Sequence, residues 1–417
     1  MSTRTSIHAT QQAAYHVQAC VIGAGVIGLA TARALAMAGK EVLLLEREAT
    51  FGTGTSSRNS EVVHAGIYYP TGSLKAKLCV KGKEMLYDYC QHRNIEYSKL
   101  GKLLVATNEK QLLNDLPQIA KHASGNGVND LIFLSGDDVK ANFEPQVTCH
   151  GALYSPSSGI VDSHNYMLSL LADAEEHGTT VAFHSPVKNI HVDRSATRQG
   201  IIIESEGMHI ACDIVVNCAG LHADKIERMV CNNGDDDIDK NDIDDSTRHS
   251  RDDIVSRQYY AKGNYYRLEG QKNPFRHLVY PVPEKGGLGI HATIDLGNNC
   301  RFGPDVEWIK LEMDDPDEID LLVDPTRSES FYEEVRKYWP FLEEDSLKPD
   351  YCGIRPKLGH PDLQGSGGPS IKADFRIQKM DGVTGFINLT GIESPGLTAS
   401  MAIADEVVYQ LSKDGVL

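Results

Sequence analysis

A strand–helix–strand pattern of apolar and polar positions stands near the start of the chain. Val17–Ile22 is largely apolar, Leu29–Ala38 is rich in alanine, and Val42–Leu45 is apolar again. Short apolar runs are typical of buried strands, whereas the alanine-rich stretch favours a helix, which Gly39 ends. The pattern therefore predicts a βαβ unit.

A second strand–loop–helix pattern lies near the C-terminus. Gly385–Leu389 predicts a strand and Leu397–Leu411 a long helix, joined by a loop rich in glycine and proline. A further buried strand within Ile214–Asp224 runs into Ala219 and Gly220. Small residues at the carboxyl end of a strand leave room for a ligand at the switch point of an α/β sheet. We therefore expect α/β architecture towards both ends.

The interior is richer in strand patterns. Short apolar segments from Gln258 to Pro304 predict an antiparallel sheet, which is a different architecture from the βαβ unit. The other predicted elements are helices over Leu74–Tyr89, Glu109–Gly125, His164–His177 and Phe331–Phe341, strands over Gly101–Thr107, Thr179–Val187 and Asp374–Gln378, and a hairpin over Ile201–Glu206 and His209–Asn217.

Composition and charge narrow the class of protein. The 417 residues suggest two domains, and 41% hydrophobic residues can form a sizeable core. The formal net charge of -17 argues against nucleic acid as a partner, because phosphate backbones require clustered lysine and arginine. Residues 231–255 hold nine aspartates against three basic residues, and we expect a disordered acidic insert there. Its spacing does not fit an EF-hand, and we predict no metal site.

Cysteines, apolar runs and the N-terminus bear on the compartment. The nine cysteines form no CxxC pair, which favours reduced thiols inside a cell. No apolar run is long enough to predict a membrane span, which leaves peripheral contact with a membrane open. The N-terminal stretch lacks acidic residues and is compatible with a short mitochondrial leader. We expect a mitochondrial location, with the cytoplasm as the alternative.

The first βαβ unit carries a nucleotide-binding fingerprint. Gly23, Gly25 and Gly28 form GxGxxG between strand and helix, and Glu46 ends the second strand. The glycines permit a tight turn, close approach of a pyrophosphate and close packing of helix on strand, while the acid suits ribose hydroxyls. FAD and NAD both use this fingerprint, and a close-packed turn without a ligand is the structural alternative.

Several motifs resemble the FAD-dependent oxidoreductases of the D-amino-acid-oxidase type. They are VIGAGVIGLATARAL, SSRNSEVVHAGIYYPTGSLKAKLCVKG, GKLLVAT, SGIVDSHNYMLSL, VVNCAGLHAD, VYPVPEKGGLGIHATIDL, RFGPDVEW, YCGIRPKL and GIESPGLTASMAIADEV, in order from about residue 17 to the C-terminus. The resemblance implies α/β plus α+β architecture: a Rossmann-like, glutathione-reductase-type FAD-binding domain with an inserted antiparallel-sheet substrate domain. We expect residues 15–98, 151–230 and 350–417 in the former, and 99–150 and 256–349 in the latter. One departure is Glu61, where many members have glycine.

The same resemblance implies which residues hold FAD, without a covalent link. The segment after the second strand runs beneath the cofactor, and the GIESPGLT loop faces the pyrimidine end of the flavin. The implied cofactor-binding residues are Gly23, Ala24, Gly25, Val26, Ile27, Gly28, Glu46, Arg47, Thr55, Ser56, Ser57, Asn59, Ser60, Val187, Ala219, Gly220, Gly353, Arg355, Gly391, Ser394, Pro395, Gly396, Leu397 and Thr398.

The implied reaction is the oxidation of L-2-hydroxyglutarate to 2-oxoglutarate, with His64 as the base. Histidine suits that role because its pKa lies near neutrality, and His291 is the main rival. Arg355 is expected to hold a carboxylate of the small dicarboxylate substrate through its planar fork, with Lys357 and Tyr69 as further candidates. The structural alternatives are a histidine bonded to a main-chain carbonyl and an arginine in an internal ion pair.

Two other functions remain open at this point. One is another amino-acid or hydroxy-acid oxidase on the same fold, and the other is a flavoprotein without catalytic activity. The electron acceptor is equally open between a quinone, an electron carrier and oxygen.

Overall fold

Two large sheets and a small one organise the chain in the computed structural model, which describes residues 15–193, 200–232, 257–283, 289–366 and 373–417. The predicted acidic insert falls almost wholly outside these residues. The strands are β1 Tyr15–Ile22, β2 Val42–Leu45, β3 Val62–Val63, β4 Tyr97–Ser98, β5 Lys102–Ala106, β6 Ile132–Ser135, β7 Gly151–Ser155, β8 Gly159–Val161, β9 Thr179–Ala182, β10 Val187–Asp193, β11 Gly200–Ser205, β12 Met208–Asn217, β13 Tyr259–Leu268, β14 Leu278–Pro281, β15 Ala292–Ile294, β16 Cys300–Phe302, β17 Glu307–Trp308, β18 Leu347–Lys357, β19 Arg376–Met380 and β20 Val383–Thr390.

The helices pack against both large sheets. They are α1 Val26–Met37, α2 Leu74–Arg93, α3 Leu116–Gly125, the single turn α4 Gly136–Asp138, α5 Ser163–Glu176, α6 Ala223–Asn232, α7 Ser328–Arg336 and α8 Gly396–Lys413. Shorter helical turns are Thr55–Ser57, Gln111–Asp115, Val139–Phe143, Gly220–His222, Pro316–Glu318, Pro325–Arg327 and Pro361–Ser366. No helix in the described part of the chain is both long enough and apolar enough to cross a membrane.

The eight-stranded sheet is built around the predicted βαβ unit. Its parallel centre runs β9-β2-β1-β12-β20, and the β10–β11 hairpin continues it antiparallel from β12. Helices α1, α2, α5 and α8 cover one face, where an apolar core includes Leu29, Leu86, Tyr166 and Ile403. Parallel strands connected by crossover helices are buried on both faces, which explains their continuous apolar runs.

The nine-stranded sheet forms the second unit and is antiparallel except for the β5–β14 pair. Its order is β17-β13-β16-β15-β14-β5-β7-β6, with β18 on the other side of β13. Buried aromatic residues, among them Trp339, Tyr338 and Phe331, fill its core. Because β7 and β18 belong to this sheet, we propose that the two segments of the second unit extend to about residues 155 and 357, beyond the ends at 150 and 349 expected from sequence.

Two predicted elements are divided in the structure. The strand expected over Thr179–Val187 is two strands, because His184 has a φ of 51° and Pro186 has no N–H for a ladder. The helix expected over Glu109–Gly125 is a wide turn followed by α3, whose second residue is Pro117. Proline interrupts the regular hydrogen bonding of a helix, which accounts for the division. The other predicted elements are present with shifted ends.

Candidate active site

The glycine loop after β1 is packed too tightly for any other residue at two of its positions. Gly23 has a φ of +99°, and a Cβ there would lie 2.7 Å from the Cys218 carbonyl oxygen. A Cβ on Gly28 would lie 1.8 Å from the Gly23 carbonyl oxygen. The loop therefore lies directly against the end of β12, as the predicted tight turn and close helix–strand packing require.

The N-terminus of α1 is suited to a phosphate group. Its cap residue, Gly25, has no side chain, and its first turn contains no acidic residue. The Val26 N–H donates to Ser56 Oγ at 3.0 Å, which brings the predicted hydroxyl donor to the helix end. Free amides and the positive end of the helix dipole favour an anion at this position.

The Glu46 carboxylate lies beside the same loop. Its Oε2 accepts from the Ala24 N–H at 2.7 Å and its Oε1 from the Glu48 N–H at 2.9 Å. The carboxylate is buried and held at the carboxyl end of β2, where a ribose would approach. Together with the glycine loop, these residues fit the adenosine and pyrophosphate part of FAD.

Residues 55–61 connect the two large sheets. The Thr55 hydroxyl donates to the Ile354 carbonyl, and the Asn59 amide donates to the Ser56 carbonyl at 2.6 Å. Ser60 hydrogen bonds to Tyr265, whereas the Ser57 hydroxyl is turned towards its own loop. Four of the expected cofactor residues are thus held in place by main-chain and side-chain contacts.

Glu61 occupies a position whose main-chain conformation suits the glycine that many members of the family have there. It has a φ of 57°, in the left-handed region that favours glycine. Its carboxylate accepts from the Ser163 hydroxyl at 2.7 Å, at the start of α5. The Glu61 side chain is therefore engaged with α5 rather than with His64.

A buried glutamine that was not selected from the sequence joins three segments at the site. The Gln258 amide donates to the Gly220 carbonyl at 2.9 Å and accepts from the Gly391 N–H at 2.8 Å. Ala219 is tied to the same region, since its N–H donates to the Asn217 side chain. Gly353 packs against the Arg58 carbonyl, where a Cβ would come within 2.1 Å.

The loop between β20 and α8 carries a second uncapped helix end. Pro395 precedes α8, no side chain caps the helix, and its first turn has no acidic residue. The Gly396 N–H donates to the Glu393 carbonyl at 2.6 Å. Leu397 and Thr398 form the first turn, so the positive end of α8 opens beside Ser394.

The Glu393 carboxylate fixes this loop to its surroundings. Lys75 Nζ lies 2.9 Å and Lys357 Nζ 2.6 Å from its two oxygens. Burial acts to raise the pKa of Glu393, but the two ammonium groups prevail and lower it. Lys357, a candidate for substrate binding, is therefore already committed to an internal ion pair.

His64 lies where the two sheets and the α8 loop meet. The main-chain N–H of His64 donates to Thr398 Oγ1 at 3.0 Å, and its ring Nε2 lies 3.3 Å from Ser394 Oγ. Burial, followed by the charges of Lys102 and His291, lowers the pKa of His64 well below its usual value. The imidazole is therefore neutral at physiological pH and able to accept a proton.

Lys102, the first residue of β5, was not selected from the sequence. It is 1% exposed, and its Nζ lies 3.5 Å from His64 Nδ1. The same atom lies 4.2 Å from the centroid of the Tyr280 ring. The available signal was a lysine heading the apolar run LLVA, because a fully buried lysine is rare unless it is paired.

His291 and Tyr69 also lie in the neighbourhood of His64. The His291 ring stacks on Tyr280 with centroids 3.6 Å apart and an interplanar angle of 7°. Tyr69 hydrogen bonds to Ser394, and burial, followed by the neighbouring Cys79, raises the pKa of its hydroxyl. His291 is thus close enough to influence His64 electrostatically, although its ring is held flat against an aromatic side chain.

Arg355 reaches the site from β18. One guanidinium nitrogen donates to the Asp305 carbonyl at 2.7 Å. Gly263 leaves space for this nitrogen, since a Cβ on residue 263 would lie 2.1 Å from the guanidinium. Burial raises the pKa of the Tyr265 hydroxyl, and the positive charge of Arg355 acts in the opposite direction. Among the described residues no carboxylate pairs with Arg355, so its remaining donors fit an anionic ligand.

Two expected cofactor residues lie apart from this cluster. Arg47 forms a bidentate pair with Asp317, with contacts of 2.6 and 2.7 Å. Val187 begins β10, where it pairs with Ser205. Asp317 also belongs to a group with His222 and Asp315 that could geometrically hold a metal ion, but Arg47 and Lys225 already provide its positive charges.

Comparisons with known proteins show what the whole chain is similar to. The sequence model of the family described as "FAD dependent oxidoreductase" (DAO) matches residues 18–410. Mitochondrial L-2-hydroxyglutarate dehydrogenase of Arabidopsis thaliana is 42% identical over 94% of this chain and 82% of its own length. Glycerol 3-phosphate dehydrogenase of Caloramator mitchellensis is 30% identical over 93% of this chain and 72% of its own. The structure of L-alpha-glycerophosphate oxidase from Mycoplasma pneumoniae with FAD bound has a TM-score of 0.78 at 22% identity, covering 95% of both chains.

Proposed function

This chain belongs to the DAO family of FAD-dependent oxidoreductases, and from that premise we propose that it oxidises L-2-hydroxyglutarate to 2-oxoglutarate. The observation that carries the proposal is the 42% identity with the plant L-2-hydroxyglutarate dehydrogenase over 94% of this chain. The cluster around His64 supports it, because it combines a neutral imidazole with the Arg355 guanidinium near a cofactor site.

FAD, when bound, supplies the acceptor for the hydride that leaves C2 of the substrate. The glycine loop, Glu46 and Ser56 would hold its adenosine and pyrophosphate part. The α8 N-terminus would favour negative charge at the other end. The Glu393 ion pairs keep that helix end in position while the substrate reacts.

Side chains of the protein would perform the remaining steps, which are substrate binding and proton acceptance. Arg355 would hold a carboxylate of the substrate through its unused donors, and His64 would take the proton of the substrate hydroxyl at Nε2. A neutral imidazole is required for this step, and burial, the largest cause of the lowered pKa of His64, keeps it neutral. Tyr280 and Tyr69 enclose the position and limit the access of water.

A glycerol 3-phosphate oxidase is the second candidate. The bacterial glycerol 3-phosphate dehydrogenase is 30% identical to this chain, and the oxidase structure shares its fold. Both reactions remove a hydride and a proton from a secondary alcohol that carries an anionic group. Substrate choice therefore separates the two functions.

The proposal is tested by anaerobic reduction of the purified, FAD-loaded enzyme. L-2-hydroxyglutarate, D-2-hydroxyglutarate, L-lactate and glycerol 3-phosphate are added separately while flavin absorbance is followed. We expect bleaching by the L-dicarboxylate alone. Bleaching by glycerol 3-phosphate alone would establish the second candidate, and oxidised flavin in all four mixtures would indicate a flavoprotein without this activity.

The base is tested in the same assay with two matched variants. His64→Ala should retain FAD but reduce it at least about 100-fold more slowly, since general base catalysis contributes about 10²–10⁴-fold. His291→Ala, which removes the stacked ring, should be much less affected. The reverse order of the two rates would assign the base to His291.

We also propose a mitochondrial location, because the plant relative carries that word in its name. Cell fractionation with an antibody against the native chain tests it. The electron acceptor is identified by reoxidising the reduced enzyme with a soluble quinone, an electron-carrier dye or oxygen and comparing the three rates.

A further inference from the structure

Lys102 is buried in the candidate site without a carboxylate partner among the described residues. Its Nζ lies 3.5 Å from His64 Nδ1 and 4.2 Å from the centroid of the Tyr280 ring. An isolated buried ammonium is expensive, and burial lowers the pKa of Lys102 to about 7. A position that penalises the charged form so strongly is poorly explained by packing alone.

The charged and titratable groups around Lys102 come from several elements. Cys79 of α2 faces Lys102, and the Cys79 thiol donates to the His64 carbonyl at 3.3 Å. Tyr280 comes from β14, and His291 from the segment before β15. Burial raises the pKa of the Tyr280 hydroxyl and raises that of Cys79 to about 12, so both are neutral near pH 7.

We propose that Lys102 is a positioning and proton-accepting partner of His64, so that the two side chains act together as one base. The proposal rests on the proposed oxidation of a hydroxy acid. In the active state Lys102 is a neutral amine. It accepts the Nδ1–H of His64, which leaves Nε2 free for the substrate hydroxyl.

The proton balance of this arrangement is complete. The substrate O–H bond breaks and its proton binds His64 Nε2, while the C2–H bonding electrons leave with the hydride. The Nδ1 proton passes to the Lys102 amine, which becomes an ammonium, and the carbonyl of the product forms. His64 ends neutral, which its buried surroundings favour, and Lys102 holds the proton until solvent removes it.

A different role would use Lys102 as a permanent cation that binds a substrate carboxylate. The two roles predict opposite behaviour for arginine, which keeps the charge but does not give up a proton near neutral pH. Lys102→Arg should therefore fail if the lysine accepts a proton, and should retain activity if the lysine only supplies charge.

The test compares anaerobic flavin reduction by L-2-hydroxyglutarate between pH 5.5 and 9.5. In the wild type we expect the rate to rise through an apparent pKa near 7, a property of the pair. In Lys102→Met the rate of flavin reduction should fall about 100-fold or more. Its rise with pH should move to lower pH, where His64 alone titrates. Lys99→Met is the matched control, because the Lys99 ammonium also lies over a tyrosine ring, 4.5 Å from Tyr87, but is exposed.

Chemical rescue separates proton transfer from structure. Methylamine added to Lys102→Ala should restore reduction in proportion to the neutral amine, whereas Lys102→Arg should stay slow at every pH. Wild-type rates and pH dependence in Lys102→Arg, or in Lys102→Met, would overturn the proposal. Unchanged FAD content and circular dichroism in each variant exclude misfolding as the cause of a loss.

A substrate-independent measurement distinguishes this proposal from the proposed function. The melting temperatures of FAD-saturated wild type and Lys102→Met are compared at pH 7 and at pH 9. Between these two pH values only the wild type should gain stability, because only it can lose the lysine proton. Bleaching by a different substrate, with this gain present, would overturn the substrate alone. Absence of the gain would overturn the proton-accepting lysine whatever the substrate.

Discussion

Replacement of Lys102 by methionine should make the enzyme slower but not less stable. The substitution keeps an unbranched side chain of similar length and removes an ammonium that has no carboxylate partner among the described residues. The folded state lowers the pKa of Lys102 from an ordinary 10.5 to about 7. Between these two values the unfolded chain binds more protons than the folded chain, so stability rises with pH.

The magnitude follows from the two pKa values. Below pH 7 both states carry the proton and the folded state bears the full cost of burying it, while above about pH 10.5 neither carries it. Between pH 7 and pH 9 the linkage relation gives a gain of about 2 kcal/mol for wild type that Lys102→Met lacks. For a chain of this length that corresponds to a melting-temperature difference of about 2–3 °C.

Differential scanning calorimetry with excess FAD is the assay, because saturating cofactor keeps its contribution common to both proteins. We expect Lys102→Met to melt at or above the wild-type temperature at pH 7, with the gap closing or reversing by pH 9. Parallel pH dependences for the two proteins, or a large drop for the variant at pH 7, would show that Lys102 is charged and compensated in the folded state.

Three further changes test other parts of the site. Gly28→Ala should lose bound FAD, seen as a lower ratio of flavin to protein absorbance, because its Cβ would lie 1.8 Å from a main-chain oxygen; full FAD content would contradict the tight loop. Arg355→Lys should raise KM for L-2-hydroxyglutarate roughly 10–100-fold, as expected for loss of a charge-assisted fork, and an unchanged KM would remove Arg355 from the substrate site. Glu393→Gln leaves two buried ammonium groups without their carboxylate, so the free energy of unfolding should fall by about 3–5 kcal/mol. An unchanged melting temperature would refute the role of Glu393 as their ion-pair partner.

The sequence predicted the parts of the site that depend on local chain geometry. Gly23, Gly28 and Glu46 belong to one βαβ unit, where turn, helix and strand fix their relative positions. The α8 N-terminus was predictable for the same reason, since a Gly/Pro loop before a long apolar-periodic helix defines it locally.

The parts that depend on distant pairing were not predicted. Lys102 meets His64 only because β5 joins the second sheet beside β14, and that neighbour relationship joins residues far apart in sequence. Lys357 was a further candidate for holding the substrate carboxylate, and its pairing with Glu393 from the α8 loop could not be read from the sequence. Side-chain ion pairs between separate elements leave no periodic signal in the sequence.

The contacts of Gln258 make separate chain segments depend on one side chain. Its main-chain N–H donates to Asp224 at 3.3 Å, and its amide holds the Gly220 carbonyl and the Gly391 N–H. A buried donor or acceptor that loses its partner costs about 1–3 kcal/mol. Loss of the Gln258 amide would therefore leave both main-chain groups unpaired at once, so the turn at Gly220 and the loop after β20 are coupled through this residue.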